Sequence, residues 1–435
     1  MHEFTFKNNE LCCENIKVKD IAKSVPTPFY LYSYKTLIDH YRKIKTAFKD
    51  IDPLVCFSAK SNSNIAVLRA LVKNGAGLDI VSGGELYRAR LAGANPKKIV
   101  YAGVGKKRSE IEDALKFGIL FFNVESEEEL EEIQKAAAAL DKRANIAIRI
   151  NPDVIPKTHH YIATGKGESK FGLDFETVHK IFNSKWKYPN LDIRGVHVHI
   201  GSQILSAEPF TKAIKKVLEF LRDCKIGVDY FNIGGGLGIV YSIENPQTAK
   251  AFAKSILPLL KKSKLRIVLE PGRFISGNSG ILVTRVIYSK RTPRKKFLIV
   301  DGGMSELIRP SLYEAYHKIV PVSVRDDFSS TAEKVDVVGP ICETGDFLGK
   351  DRLLPHMYKD ELVAVMGTGA YGFAMSNNYN SRPRGAEVMV IKGKFYIIRK
   401  PENYKDLVRG EKIPSLLSHG LAKCRGLRPR PGVLR

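Results

Sequence analysis

Eight short apolar runs, each closed by a glycine or a polar residue and followed by an amphipathic charged stretch, dominate the first three-fifths of the chain. They are Val55–Phe57, Leu78–Val81, Ile99–Tyr101, Leu120–Val124, Ile146–Ile150, Val196–Ile200, Tyr230–Ile233 and Ile267–Leu269. Helix-like stretches such as Ser126–Lys142 and Phe210–Lys225 lie between them. Strands alternating with helices require a parallel sheet, because parallel neighbours need a crossover connection. Eight such units in roughly 240 residues suit a closed (β/α)8 TIM barrel. An open doubly wound sheet carries the same alternation, and closure is not written in the pattern.

Near Ser276 the rhythm stops. The stretches GILVTRVIYSKR, KKFLIVDGG, KVDVVGPIC, ELVAVMGTG and AEVMVIKGKFYIIRK read as strands with few helices between them, and Lys392-Gly393-Lys394 reads as a hairpin turn. The predicted α/β organisation has four parts. Residues 1–33, which include the strand-like PTPFYLY, join a β domain; residues 34–275 form the barrel; residues 276–417 form the mostly β domain. The basic tail 418–435 has no period and no acid, and is expected to be disordered.

Composition narrows the class. A chain of 435 residues with 44% hydrophobic and 27% charged residues has an ordinary globular balance. It has no apolar run of about 18 residues, so no membrane span is expected. The opening MHEFTFKNNELCCENIKVKD is too polar for a signal peptide. Six cysteines without a CxxC pair make neither a disulfide framework nor a zinc site, so a reducing, cytoplasmic location and no metal are expected. The formal charge of +24 raises the question of a nucleic-acid partner. No helix-turn-helix, zinc or RNP-like signature accompanies it, and five of the cations sit in the tail, at Lys423, Arg425, Arg428, Arg430 and Arg435. The charge is therefore read as a surface property.

In a barrel the chemistry sits where strands end. The first strand ends in Ser58-Ala59-Lys60-Ser61-Asn62, and the second is followed by Ser82-Gly83-Gly84-Glu85. The sixth ends in His197-Val198-His199-Ile200-Gly201-Ser202, the seventh in Asn232-Ile233-Gly234-Gly235-Gly236, and the eighth in Glu270-Pro271-Gly272-Arg273. Glycines let backbone N–H groups approach an anion, although a triplet serves a tight turn equally well. Lys60, desolvated at a strand end, sheds its proton easily and attacks an aldehyde; taken alone it is a solvated lysine. Glu270 needs a cationic partner, either Arg273 or a protonated heterocyclic nitrogen. His199 alone is a core histidine. Together, an amine, an anion cradle, a ring-facing imidazole and a buried acid share one explanation, pyridoxal 5'-phosphate.

At these residues the sequence resembles the fold-type III pyridoxal-phosphate decarboxylases, most closely the diaminopimelate decarboxylases. The resemblance runs from about Pro26 to Leu417 and rests on FSAKSNSN, GLDIVSGGELYRA, FNVES, INPDVIPKTHHYIATG with SKFG, GVHVHIGSQI, NIGGGLGI, LEPGR, CETGD and GAYGFAMSNNYNSRPRGAEVMV. It implies an alanine racemase-like barrel joined to a β domain, and a homodimer whose active sites are shared. Lys60 is then the lysine that binds the cofactor covalently, and His199 stacks on its ring. Ser202, Gly235 and Gly236, with the Gly272-Arg273 backbone, hold the phosphate, and Glu270 pairs with the pyridine nitrogen.

The same resemblance gives Arg273, Arg309 and Tyr313 the substrate's distal carboxylate, which suits arginine's planar fork. Glu343 reads the distal ammonium, Tyr371 lies near cofactor and substrate, and Cys342 returns the proton. Cys342 and Glu343 reach into the partner's site. The implied reaction is decarboxylation of meso-2,6-diaminopimelate to L-lysine and CO2, the last step of lysine biosynthesis. The alternative is an ornithine, arginine or carboxynorspermidine decarboxylase of the same fold, whose substrates need no Arg309–Tyr313–Glu343 clamp. A non-catalytic homologue is disfavoured by the intact Lys60, Glu270 and Cys342.

Overall fold

A computed structural model of the chain describes residues 2–155, 169–325 and 332–417. The basic tail and the His159–Gly165 part of the quoted motifs lie outside the described residues. At the N-terminus β1 (Phe4–Lys7), β2 (Glu10–Cys13) and β3 (Ile16–Lys17) form an antiparallel sheet of their own. The helix Val18–Ser24 follows, and then β4 (Phe29–Ser33). Of the segment 1–33, β4 is the part that enters the large sheet of the β domain.

The eight apolar runs are the eight barrel strands. They are β5 (Leu54–Ser58), β6 (Gly77–Ile80), β7 (Ile99–Tyr101), β8 (Phe121–Val124), β9 (Ala144–Arg149), β10 (Leu191–His197), β11 (Tyr230–Asn232) and β12 (Arg266–Leu269). They pair in parallel in sequence order, and β12 returns to β5 through Val268↔Leu54, so the barrel is closed. Closure excludes the open doubly wound alternative.

The crossover helices follow from local chemistry. In Glu127–Ala139 the Ser126 hydroxyl caps the Glu129 N–H at 3.1 Å, and three glutamates occupy the positive first turn. Leu130, Ile133, Ala136 and Ala137 form its buried stripe. Behind β12 the helix is short, Arg273–Ser276. The outer ring is completed there by Tyr34–Ala47, which precedes β5 and packs on Ala249–Ser263; just beyond its end, Phe48 meets Phe252 edge-on at 5.9 Å.

After the barrel come β13 (Gly280–Arg291), β14 (Lys296–Val300), β15 (Ile319–Pro321), β16 (Glu333–Val338), β17 (Phe347–Leu354), β18 (Leu362–Val365), β19 (Ala386–Ile391) and β20 (Lys394–Arg399). Their nine-stranded sheet, β4 included, runs β17-β16-β14-β13-β4-β19-β20, with β18 bonded to β13 and β15. The β19–β20 hairpin turns at Lys392 and Gly393, whose φ values of 50° and 77° are those a type I′ turn demands. β4 alternates strictly. Phe29 and Leu31 pack with Phe4, Leu11 and Ile21 of the N-terminal layer, whereas Tyr30 and Tyr32 face the barrel-side core. The β domain is thereby covered on both faces, and it is held against the mouth of the barrel. Among the described residues no helix is long and apolar enough to cross a membrane.

Candidate active site

Lys60 lies in the short 3-10 turn Ala59–Ser61 that ends β5. Its Nζ is 3.2 Å from Asp79 Oδ2 on the adjacent strand β6. The lysine side chain is 34% exposed and the aspartate fully buried, so the amine points to the open mouth from a sealed counter-charge. Asp79 Oδ2 also accepts from the Ser58 hydroxyl at 2.6 Å. The desolvation expected to free the amine of its proton does act on Lys60. The Asp79 carboxylate, which also accepts from the amine, and the Glu270 carboxylate outweigh it, however, and hold the amine above its ordinary pKa. In the free chain Lys60 is an ammonium.

Glu270 follows β12 and is 3% exposed. Its partner is not Arg273. Oε1 accepts from the side-chain amides of Asn232 at 2.6 Å and Asn123 at 3.1 Å, and Oε2 lies 3.3 Å from His197 Nε2. Burial pushes this carboxyl up, but the neighbouring His197 and Lys60 more than reverse the effect and keep it ionised. Two neutral amides thus fix a buried anion by one oxygen and leave the other for a proton-bearing nitrogen.

The loops after β10 and β11 interlock. His199 Nδ1 accepts from the Gly235 N–H at 3.2 Å, so its Nε2 carries the proton. Burial, with Lys60 and Arg149 nearby, keeps this imidazole neutral. A Cβ on Gly235 would stand 2.0 Å from the Glu270 carbonyl oxygen, and one on Gly236 2.3 Å from that of Gly201. Glycine is therefore required at both positions by the close approach of neighbouring strand ends. Gly272 caps the short helix behind β12, and a Cβ on it would stand 3.0 Å from Ser58 Cβ and 3.1 Å from Ser61 Cβ.

Arg273 and Arg309 are each 6% exposed. Arg273 donates to Tyr241 Oη at 2.7 Å and to Ser202 Oγ at 3.0 Å, and its guanidinium lies 4.7 Å from the Tyr371 ring centre. Tyr371 holds a left-handed φ of 56°, and its N–H donates to the Ser61 carbonyl at 2.8 Å, which ties the β domain to the Lys60 turn. Arg309 opens the helix Arg309–Tyr313 and donates to His317 Nε2 at 2.7 Å; its guanidinium stacks 4.7 Å from the Tyr241 ring centre. Tyr313, half-buried, ends the same helix.

Lys60, His199, Ser202, Gly235, Gly236, Glu270, Gly272, Arg273, Tyr371 and Arg309 are therefore linked by contacts into one constellation. Cys342 and Glu343 are exposed, and their bonds run elsewhere: the Cys342 N–H donates to Asn380 Oδ1 at 2.8 Å, and Glu343 Oε1 accepts from the Gly345 N–H at 3.2 Å. Sequence reasoning missed Asp79, Asn123, Tyr241 and His317, and it left His197 and Asn232 without a role. For Asp79, Asn123 and Asn232 the signal was a polar residue inside an otherwise apolar strand (GLDI, FFNV, YFN).

The donor set fits pyridoxal phosphate. An amine at the open mouth, a buried acid with one oxygen uncommitted by amides, and a glycine loop beside the Ser202 hydroxyl answer the group's aldehyde, ring nitrogen and phosphate. Residues 34–277 match the family described as "Pyridoxal-dependent decarboxylase, pyridoxal binding domain". The chain is 47% identical over 407 residues to a diaminopimelate decarboxylase of Aquifex aeolicus, covering 93% of this chain and 96% of that one. It is 43% identical to one of Vibrio cholerae, over 92% and 96%. Among solved structures it is similar to diaminopimelate decarboxylase of Helicobacter pylori complexed with L-lysine, with a TM-score of 0.86, 41% identity and coverage of 90% and 98%. It is likewise similar to that of M. jannaschii in co-complex with L-lysine, with a TM-score of 0.90, 36% identity and coverage of 96% and 100%.

Proposed function

The chain belongs to the pyridoxal-dependent decarboxylases and, within them, to the diaminopimelate decarboxylases, and on that footing we propose how its residues carry out the reaction. The enzyme decarboxylates meso-2,6-diaminopimelate to L-lysine and CO2, and its cofactor is pyridoxal 5'-phosphate. One observation of the site carries the substrate reading. Two buried guanidiniums, Arg273 and Arg309, converge through Tyr241, and Arg273 stacks on Tyr371, which is bonded to the Lys60 turn; a substrate with a second carboxylate remote from the reacting carbon would satisfy them.

When bound, the cofactor supplies the electron sink that accepts the pair released as CO2 departs. Lys60 Nζ would bind it covalently, and Asp79 holds that nitrogen in place on the free chain. Glu270 would hold a proton on the ring nitrogen, and Asn123 and Asn232 keep the carboxylate from turning. His199, tied to the Gly235 N–H, offers the ring a fixed imidazole face. Ser202, Gly235, Gly236 and the Gly272-Arg273 backbone take the phosphate. Arg273, Arg309 and Tyr313 would bind the distal carboxylate, with Tyr371, stacked on Arg273, between substrate and cofactor residues.

The exposure of Cys342 and Glu343 supports a homodimer in which each chain lends them to the other's site. There the Cys342 thiol returns a proton to the reacting carbon, and Glu343 takes the distal ammonium. We place the enzyme in the cytoplasm, where its amino-acid substrate is made.

Steady-state kinetics with diaminopimelate and ornithine test the reading. The expected result is a far higher kcat/KM for diaminopimelate, because ornithine leaves both guanidiniums without an anion. Faster turnover of ornithine would overturn it.

A further inference from the structure

Three buried arginines lie near the barrel mouth, and they are treated in two different ways. Arg149, 5% exposed, is neutralised by Glu125, to whose two carboxylate oxygens its Nη1 donates at 2.8 and 2.8 Å. Arg273 and Arg309 are as deeply buried, yet among the described residues neither pairs with a carboxylate. Their hydrogen-bond acceptors are the hydroxyls of Tyr241 and Ser202 and a ring nitrogen of His317. An unpaired buried cation is costly, so this arrangement persists against the rule for buried charge.

The tautomer of His317 is fixed by its other nitrogen. Nδ1 lies 2.8 Å from the Met366 carbonyl, which can only accept, so Nδ1 carries the proton and Nε2 presents a lone pair. That lone pair receives Arg309 Nη1 at 2.7 Å. The imidazole is fully buried, beside two guanidiniums, which keeps it uncharged. Its ring packs edge-on against Tyr241 at 5.1 Å. Tyr241 in turn accepts from Arg273 through Oη and carries Arg309 on its face at 4.7 Å. A neutral histidine and a tyrosine, whose phenol the two guanidiniums draw below its ordinary pKa against the effect of burial, therefore orient both forks without a carboxylate.

We infer that His317 and Tyr241 are positioning residues that hold Arg309 and Arg273 by an imidazole and a phenol in place of a carboxylate, so that both guanidiniums remain available to the substrate's distal carboxylate. A carboxylate in place of either would hold the arginines as firmly but would compete with the substrate for them. This inference rests on the substrate reading above and adds to it how the carboxylate site is kept charged.

The test uses the holoenzyme and calorimetric titration with two probes, L-lysine, which retains the amino-acid head, and cadaverine, which is lysine without its carboxylate. His317→Gln keeps a neutral acceptor, whereas His317→Glu supplies an internal anion to Arg309. The expected result is a lysine Kd raised about tenfold or more in His317→Glu, with the cadaverine Kd unmoved and the lysine-over-cadaverine preference of His317→Gln largely retained. Lysine binding by His317→Glu equal to wild type, or equal losses in both variants, would overturn the inference. Should His317→Glu lose the visible absorption of bound cofactor, Tyr241→Phe decides: its lysine affinity is expected to fall while cadaverine holds, and an unchanged ratio overturns the proposal. Wild-type enzyme that binds cadaverine as tightly as lysine would instead sink the substrate reading itself.

Discussion

Lys60 Nζ and Asp79 Oδ2 meet at 3.2 Å across two neighbouring barrel strands, with the acid sealed in the core and the amine at the rim. The acid raises the amine's pKa, so removing its charge must lower it. Asp79→Asn keeps the acceptor for Ser58 and deletes the charge. The pH midpoint for recombination of apoenzyme with pyridoxal phosphate is expected to fall by about one unit or more. An unchanged midpoint would remove Asp79 from control of the amine.

Arg309→Lys retains a cation but loses the fork that meets both His317 and a carboxylate. KM for diaminopimelate is expected to rise by about one to two orders of magnitude with a smaller change in kcat. An unaltered KM would show that Arg309 is not a substrate ligand.

Gly235→Ala places a Cβ 2.0 Å from the Glu270 carbonyl oxygen, and strand-end backbone cannot yield as a side chain does. Loss of about 1–3 kcal/mol of stability is expected, read as a lower Tm, together with weakened cofactor retention as Glu270 shifts. Wild-type Tm and cofactor content would show that the loop is slack.

Glu85, behind β6, is raised by burial from 4.5 to about 7, although the Val81 N–H donating to it at 2.8 Å opposes the shift. Between these values the folded protein binds the proton that the unfolded chain has released, so stability falls as pH rises through that window and stays lowered above it. Glu85→Gln removes the titration. It is expected to flatten that slope and to be more stable than wild type by about 1–2 kcal/mol at pH 8 in urea unfolding. A parallel pH profile in both proteins would refute the assignment.

Shared active sites are testable by complementation. Lys60→Ala and Cys342→Ala homodimers are each expected to be inactive or severely impaired. Remixed subunits regain about a quarter of wild-type activity, because half the dimers are hybrid and each hybrid holds one intact site. No regain on confirmed subunit exchange would mean that each site is built within one chain.

The barrel was legible because its strands are buried on both sides over most of their length and so read as short apolar runs, such as Val55–Phe57 or Ile267–Leu269. β17, FLGKDRLL, and the two-residue β3 were not, since they carry charge or are too short to show a period. At the site, Lys60, His199 and Glu270 stood out as polar residues closing strands. His317 did not, since it lies in a loop of the β domain and meets Arg309 through tertiary folding alone. The net state of Lys60 was also out of reach, because it depends on which charge, Asp79 or the interior, dominates at one nitrogen.

The placement of β4 has a bearing on how the molecule is made. It lies mid-sheet between β13 and β19, and its Tyr32 hydroxyl bonds Glu387, a residue 355 positions later. The barrel is thus spliced into the middle of another domain. On the ribosome it can close while β4 still waits for every one of its strand neighbours. Until the last hairpin emerges, Phe29–Ser33 is a bare, sticky ribbon at the head of a finished barrel, a natural client for chaperones.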